Sequence, residues 1–195
     1  MLQTINDLTT LLFNWNFMKR KIDFAFVLHP RYTADIYRKY KFLKILPEIM
    51  VEWILLIFWP TYGGGIYGIK DKDGNELRGA LMICPLQSKQ MLTKRALAKK
   101  KVIGAARLAE KYGAIVVGMG ALTSSVTNGG EDIAHLFPNT IITSGNSLTT
   151  FITSDDVIRM VRNNNLTGKI AIIGATGSIG AGVAKILAAE LENEL

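Results

Sequence analysis

The stretch Lys169-Ile170-Ala171-Ile172-Ile173-Gly174-Ala175-Thr176-Gly177-Ser178-Ile179-Gly180 constrains the chain more than any other. Its apolar run, Ile170 to Ile173, predicts a short buried strand. The glycine segment predicts a tight turn, and Ala181 to Leu191 predicts a helix rich in Ala, Leu and Ile. Strand, glycine turn and helix are the opening of a dinucleotide-binding βαβ unit. In such a unit Gly174 turns the chain off the strand, Gly177 leaves no Cβ between backbone and pyrophosphate, and Gly180 lets the helix pack closely. Free N–H groups and the helix dipole then favour a phosphate at the helix start. The cofactor-binding set on this reading is Gly174, Thr176, Gly177, Ser178, Ile179 and Gly180. The spacing is G-x-x-G-x-x-G rather than G-x-G-x-x-G, and the same triplet also suits a βα turn that binds nothing.

The motif stands late in the chain. The acidic or basic residue that chooses NAD or NADP falls about 20 residues past the glycines in a full domain, followed by further strands. Here the sequence ends at Leu195. The expected architecture is therefore α/β: a substrate-binding α/β domain over residues 1–168, then the incomplete first βα unit of a Rossmann domain over 169–195. A polypeptide of this kind would be an incomplete form of a longer enzyme.

Composition narrows the function classes. The chain is 49% apolar and 20% charged, the balance of a globular protein with a good core. A single cysteine excludes an internal disulfide and fits a reducing, cytoplasmic compartment. No basic n-region precedes the apolar residues of the N-terminus, so no secretory signal is read there. The net charge of +7 points to an acidic partner, with basic clusters at Lys19-Arg20-Lys21, Arg38 to Lys44 and Lys94 to Lys101. Zinc spacing, an aromatic RNA-binding signature and a DNA-reading helix are all missing, so neither a metal nor a nucleic acid is expected.

Leu8, Leu11, Leu12, Trp15 and Met18 recur at helical spacing and predict a helix over residues 1–18. Asp23 to Leu28 predicts a strand ended by His29-Pro30, where His29 could meet a polar ligand beside Arg31 or serve only as a loop residue. Thr33 caps a helix to about Tyr40. Pro47 to Trp59 is the most apolar stretch, too short for a bilayer span of roughly 20 residues. It suits a buried helix, or an interfacial one with Lys39, Lys41 and Lys44 near anionic headgroups, which gives a peripheral membrane association. Gly63-Gly64-Gly65 should break that helix. Two strands, 66–70 and 76–84, meet through the hairpin turn Asp71-Lys72-Asp73-Gly74-Asn75. A helix over 88–112 should stop at Gly113. Strands at 114–119 and 140–143 run into loops rich in hydroxyls and glycines. Ligands bind where such loops leave the carboxyl ends of strands, and the same Ser and Thr can cap helices. The substrate-binding set expected there is Ser124, Ser125, Thr143, Gly145, Asn146 and Thr149.

Four segments taken together carry a resemblance: Met91-Leu92-Thr93-Lys94-Arg95, Gly118 to Val126, Ile142 to Thr149 and Gly174 to Gly180. Across roughly residues 80–185 the chain resembles the long-chain acyl-[acyl-carrier-protein] reductases that form fatty aldehydes, and their bacterial shikimate dehydrogenase-like relatives. The resemblance implies NADPH, or NAD, as cofactor. It also implies an acyl chain delivered on acyl carrier protein or coenzyme A, and hydride reduction of the thioester. The family's nucleophilic cysteine lies beyond the glycine turn, so Cys84 does not take that role and the catalytic residue is left unassigned. Two other readings stand beside this one. The first is an oxidoreductase on a small hydroxy acid, with Lys89 as acid/base. The second is a non-catalytic acyl- or carrier-binding module. On any of these readings the isolated chain is expected to associate with itself through residues 170–190, where a strand edge and an apolar helix face lack neighbours.

Overall fold

The structure is a computed structural model that describes residues 2–18 and 21–191. The expected basic pair Lys19-Arg20 lies outside the described residues, as does the side chain of Lys39. Contact density divides the chain into two compact units, residues 1–144 and 145–195.

The first unit is built on one sheet. Its strands are β1 (Phe24–Leu28), β2 (Thr61–Lys70), β3 (Glu76–Ile83), β4 (Val116–Met119) and β5 (Ile141–Thr143), in the order β2-β3-β1-β4-β5. β1 runs parallel to β3 and β4, and β4 parallel to β5, while β2 returns antiparallel to β3. The expected hairpin is present. In its turn Asp71 Oδ1 accepts the N–H groups of Asp73 at 2.9 Å and Asn75 at 2.8 Å, and Gly74 supplies a φ of +84°. The helices of this unit are α1 (Leu2–Phe13), α2 (Thr33–Lys39), α3 (Glu48–Ile57), α4 (Ser88–Thr93), α5 (Arg95–Lys111), α6 (Leu122–Ser125) and α7 (Glu131–Ala134). A mostly parallel sheet flanked by helices is an α/β fold, as the strand-then-helix pattern predicts.

Strand periodicity sorts the core. Ala25, Val27, Ala80, Met82, Val117 and Met119 point to one face and are buried in a single cluster with Ala98, Val102, Ala105, Ala106 and Ala109 of α5. Small residues on that helix let it lie close to the strands. The opposite face carries Phe24, Phe26, Leu81, Val116 and Ile141 in register, and there Phe26 and Ile141 are exposed. Gly79 and Gly118 leave room for the rings of Phe24 and Phe26, since a Cβ at either glycine would overlap them. Pure apolar strands ordinarily bury both faces; in this structure only one is fully buried.

α1 is fastened by a buried polar cluster. Asp7 accepts the Tyr62 N–H at 2.7 Å and the Tyr112 hydroxyl, and Asn6 Nδ2 donates to Tyr112 Oη at 2.8 Å. Lys111 Nζ donates to the carbonyls of Thr10 and Leu11 at 2.5 and 2.6 Å, satisfying acceptors at the helix end. The expected helix to residue 18 stops at Phe13, because Asn14 adopts a φ of +58°. Three further expectations are corrected. The 88–112 helix is two helices, since Lys94 leaves the helical region at φ −122°, ψ 54°. Gly63-Gly64-Gly65 lies inside β2 rather than at a helix end. The 47–59 stretch is not a buried helix: of α3 only Val51 and Leu55 are buried, in a small core with Ile36.

The second unit holds α8 (Asn146–Asn163) and α9 (Ser178–Glu190), packed through Val161, Val183, Leu187 and Leu191. The strand expected at Ile170 to Ile173 is not formed. A strand needs a hydrogen-bonded neighbour, and the sheet has no member from this unit. Ile173 is fully exposed, and Ile172 packs on the two helices instead. The expected division at residue 168 marks the start of a nucleotide fold, whereas the compact units divide between Ser144 and Gly145. α8 and α9 bury one another, so α8 falls with the later residues.

Candidate functional site

Four parallel strands deliver their carboxyl ends to one edge. β1 ends at His29-Pro30, β3 at Cys84-Pro85, β4 at Gly120-Ala121 and β5 at Ser144. From β1 the chain crosses to β3 on one side, and from β3 it returns past β1 to β4 on the other. The carboxyl end of β1 is thus a switch point, where open α/β sheets form their ligand crevice.

Backbone bonds hold the strand ends together. Cys84 N–H donates to Leu28 O at 2.8 Å and Gly120 N–H to Val27 O at 3.0 Å. The buried Thr123 hydroxyl lies 2.7 Å from Gly120 O, and that of Thr127 donates to Thr123 O at 2.8 Å. Between them Ala121 takes φ +51°, ψ −131°, a conformation that costs a residue with a Cβ about 1–3 kcal/mol. On the β3 side, Gln87 Nε2 donates to Thr33 Oγ1 at 2.7 Å, and Thr33 Oγ1 donates to Glu48 Oε1 at 2.5 Å. Gln90 accepts the Gln87 N–H at 3.1 Å and donates to Glu52 O at 2.8 Å. These bonds tie α2, α3 and α4 to one another.

His29 stands at the switch point. Its Nδ1 lies 3.0 Å from Pro30 O, a carbonyl that can only accept, so Nδ1 carries the proton and Nε2 is left as an acceptor. Nε2 is buried without a hydrogen-bond partner, a state shared among the described residues only by Trp59 Nε1. Burial lowers the His29 pKa below its usual value, against the smaller effect of the Pro30 carbonyl. The ring is therefore neutral near pH 7, with an unused acceptor. Cys84 is a different case. Burial pushes its thiol up to about 11, over the opposing pull of the Leu86 N–H and of Lys101. A thiol held protonated in the interior is not a nucleophile at neutral pH. Lys101 is spent in turn: Nζ donates to Phe58 O, and burial lowers its pKa. Lys89 is exposed on α4. No group of three metal-ligating side chains occurs among the described residues.

The expected substrate set is divided. Ser124 and Ser125 lie on α6, directly after β4, and Thr143 ends β5 at the same sheet edge. Gly145, Asn146 and Thr149 belong to the second unit and build the first turn of α8. Gly145 supplies φ +73° and accepts the Thr149 hydroxyl at 3.2 Å. The glycine segment is shaped by its own turn. Gly174 adopts φ +83°, Gly177 N–H donates to Gly174 O at 3.0 Å, and a Cβ on Gly180 would overlap Gly174 O. Ile179 packs on the helix pair, Thr176 is exposed, and Ser178 Oγ accepts from Asn146 Nδ2 at 2.9 Å. That bond joins residues which the sequence assigns to two different sites. Sequence reasoning passes over Gln87 and Gln90; the available signal was two amides just past an apolar strand.

No protein-family model matches the chain. Among curated proteins it is similar to "Aminotransferase PigE" of Serratia sp. (strain ATCC 39006), with 32% identity over 126 residues. The match covers 63% of this chain and 14% of that protein. This finding overturns the resemblance drawn above. The relative is an aminotransferase, not an acyl-[acyl-carrier-protein] reductase or a shikimate dehydrogenase. The reading of thioester reduction is withdrawn, and so are its alternatives, a hydroxy-acid oxidoreductase and an acyl- or carrier-binding module. NADPH and NAD go with them, because aminotransferases work through pyridoxal phosphate rather than a nicotinamide hydride donor. The physical reason the motif misled lies in the turn: Gly174 and Gly180 are required by backbone geometry whether or not a nucleotide is present.

Proposed function

We propose that this chain is a small-ligand-binding α/β domain of an amino-group-transferring protein, taking an amino acid or 2-oxo acid at the carboxyl edge of its sheet. The observation that carries the reading is His29 Nε2, a buried acceptor with no partner at the topological switch point. A buried polar atom left unsatisfied costs about 1–3 kcal/mol, which a donating ligand would recover. An ammonium or hydroxyl group is such a donor. Ser124 and Ser125, at the adjacent β4 end, supply hydroxyls for a carboxylate. The similarity to an aminotransferase supports the choice of substrate class, and the domain's share of that protein's length supports a contributing role rather than the whole reaction.

Titration of the ¹⁵N-labelled chain with alanine and with pyruvate tests the proposal. The resonances of His29, Gly120 and Ser124 should shift together and saturate, and His29→Ala should abolish the saturation while preserving the rest of the spectrum. Saturation that survives in the His29→Ala chain, or shifts elsewhere only, would refute it.

A further inference from the structure

α3 and the 3-10 turn before it, Lys41–Ile45, present a surface that the ligand site does not use. At about 100° per residue, Ile49, Trp53, Ile57 and Met50 fall on one arc of the helix, opposite the buried Val51 and Leu55. All four are exposed, Ile57 at 81% and Trp53 at 68%. Ile45, 86% exposed, and Phe42 extend the same apolar character into the preceding turn. The outward arc carries no charge. Glu48 and Glu52 lie toward the inner side, where Glu48 is held by Thr33 and the Glu52 carbonyl by Gln90. Lys41 and Lys44 are exposed beside Phe42 and Ile45. Large apolar side chains so close together and so fully in water mark a contact surface.

We infer that α3 and the Lys41–Ile45 turn form an interfacial anchor for an anionic phospholipid membrane. The helix has 10 residues, and no described helix is long and apolar enough to cross a bilayer, so it lies in the plane of the surface. An aromatic and aliphatic arc entering the headgroup boundary, with lysines at its rim, is the arrangement of an in-plane amphipathic helix. Charge decides the lipid: Lys41 and Lys44 sit where headgroups would be, and the whole chain carries +7.

Sedimentation of the full chain with vesicles tests the inference, using pure phosphatidylcholine and a 70:30 mixture with phosphatidylglycerol. Binding should be strong to the mixed vesicles and weak to the neutral ones. Trp53→Ser with Ile57→Ser should weaken it at least tenfold. Neither side chain is buried, so the far-UV spectrum and the melting temperature should match the parent, which separates lost binding from lost folding. Lys41→Gln and Lys44→Gln should each cost about fivefold on anionic vesicles and nothing on neutral ones. Equal binding by the parent and the double variant would overturn the inference. Failure of the parent to bind would do the same, as would a dimer in solution that the double variant dissociates.

Discussion

Tyr112 offers the sharpest test of how the first unit is held together. Its hydroxyl donates to Asp7 and accepts from Asn6, and all three residues are at most 1% exposed. Phe in its place keeps the ring, which packs edge-on to Tyr62 with centroids 6.4 Å apart, and removes only the oxygen. The neutral bond to Asn6 is worth about 1 kcal/mol and the charge-assisted bond to Asp7 about 1.5–3 kcal/mol. Asp7 keeps its bond from the Tyr62 N–H, so the loss should be near 3 kcal/mol rather than the larger cost of an abandoned buried charge. For a chain of this length that is a fall in melting temperature of about 6–12 °C. Urea unfolding followed by far-UV circular dichroism gives the same quantity independently. The double change Tyr112→Phe with Asp7→Ala should cost less than the two single changes added, with a coupling of about 1.5–3 kcal/mol. A Tyr112→Phe chain within 0.5 kcal/mol of the parent, or strict additivity, would refute the claim that this cluster fastens α1.

Three further outcomes follow from particular residues. Ala121→Gly should stabilise the first unit by about 1 kcal/mol, because relief of strain at φ +51° exceeds the extra chain entropy of glycine, and a lower denaturation midpoint would contradict this. Gly180→Ala should loosen the second unit by about 2 kcal/mol or more, since its Cβ meets the Gly174 carbonyl rather than a movable side chain; hydrogen exchange should quicken in α8 and α9 and not in the sheet. Burial of Cys84 raises its folded pKa to about 11, so stability is full below pH 9 and falls by about 3 kcal/mol as the pH rises toward 11. Cys84→Ala should flatten that fall, and iodoacetamide at pH 8 should label the native parent only as fast as it opens.

What the sequence discloses depends on whether a residue's partner is near it in the chain. The hairpin at Asp71 to Asn75 was legible because its turn bonds close within five residues. Strands β1, β4 and β5 were legible as apolar runs bounded by Pro, Gly or Ser. The tie between Gln87 and Thr33 spans 54 residues, and nothing local in either announces it. His29 could be suspected from its place after a strand, but its unpartnered Nε2 is a property of the packed edge. Ser124 and Asn146 look alike in sequence, two polar residues just past a strand, yet they fall in different compact units.

The strand expected at Ile170 to Ile173 and the buried reading of the 47–59 helix failed for opposite reasons, and both reasons are physical. Ile170 to Ile173 has the composition of a buried strand, but a strand is made by its neighbour's N–H and C=O groups. No strand of the sheet pairs with this run, so it stays irregular and sends one isoleucine to the helices and another to water. Glu48 to Ile57 has the composition of a buried helix and does form the helix. Its position against α2 buries only the arc of Val51 and Leu55. Hydrophobicity fixes how much a segment gains by leaving water, and the partner that removes it from water is set by the rest of the fold. For α3 the side chains left in water are grouped on one arc, flanked by exposed lysines, rather than scattered as ordinary surface leucines and isoleucines are. That grouping separates a contact surface from incidental exposure. It also makes the vesicle experiment decisive, because substitutions on the arc change a surface while the helix and the core beneath it stay as they are.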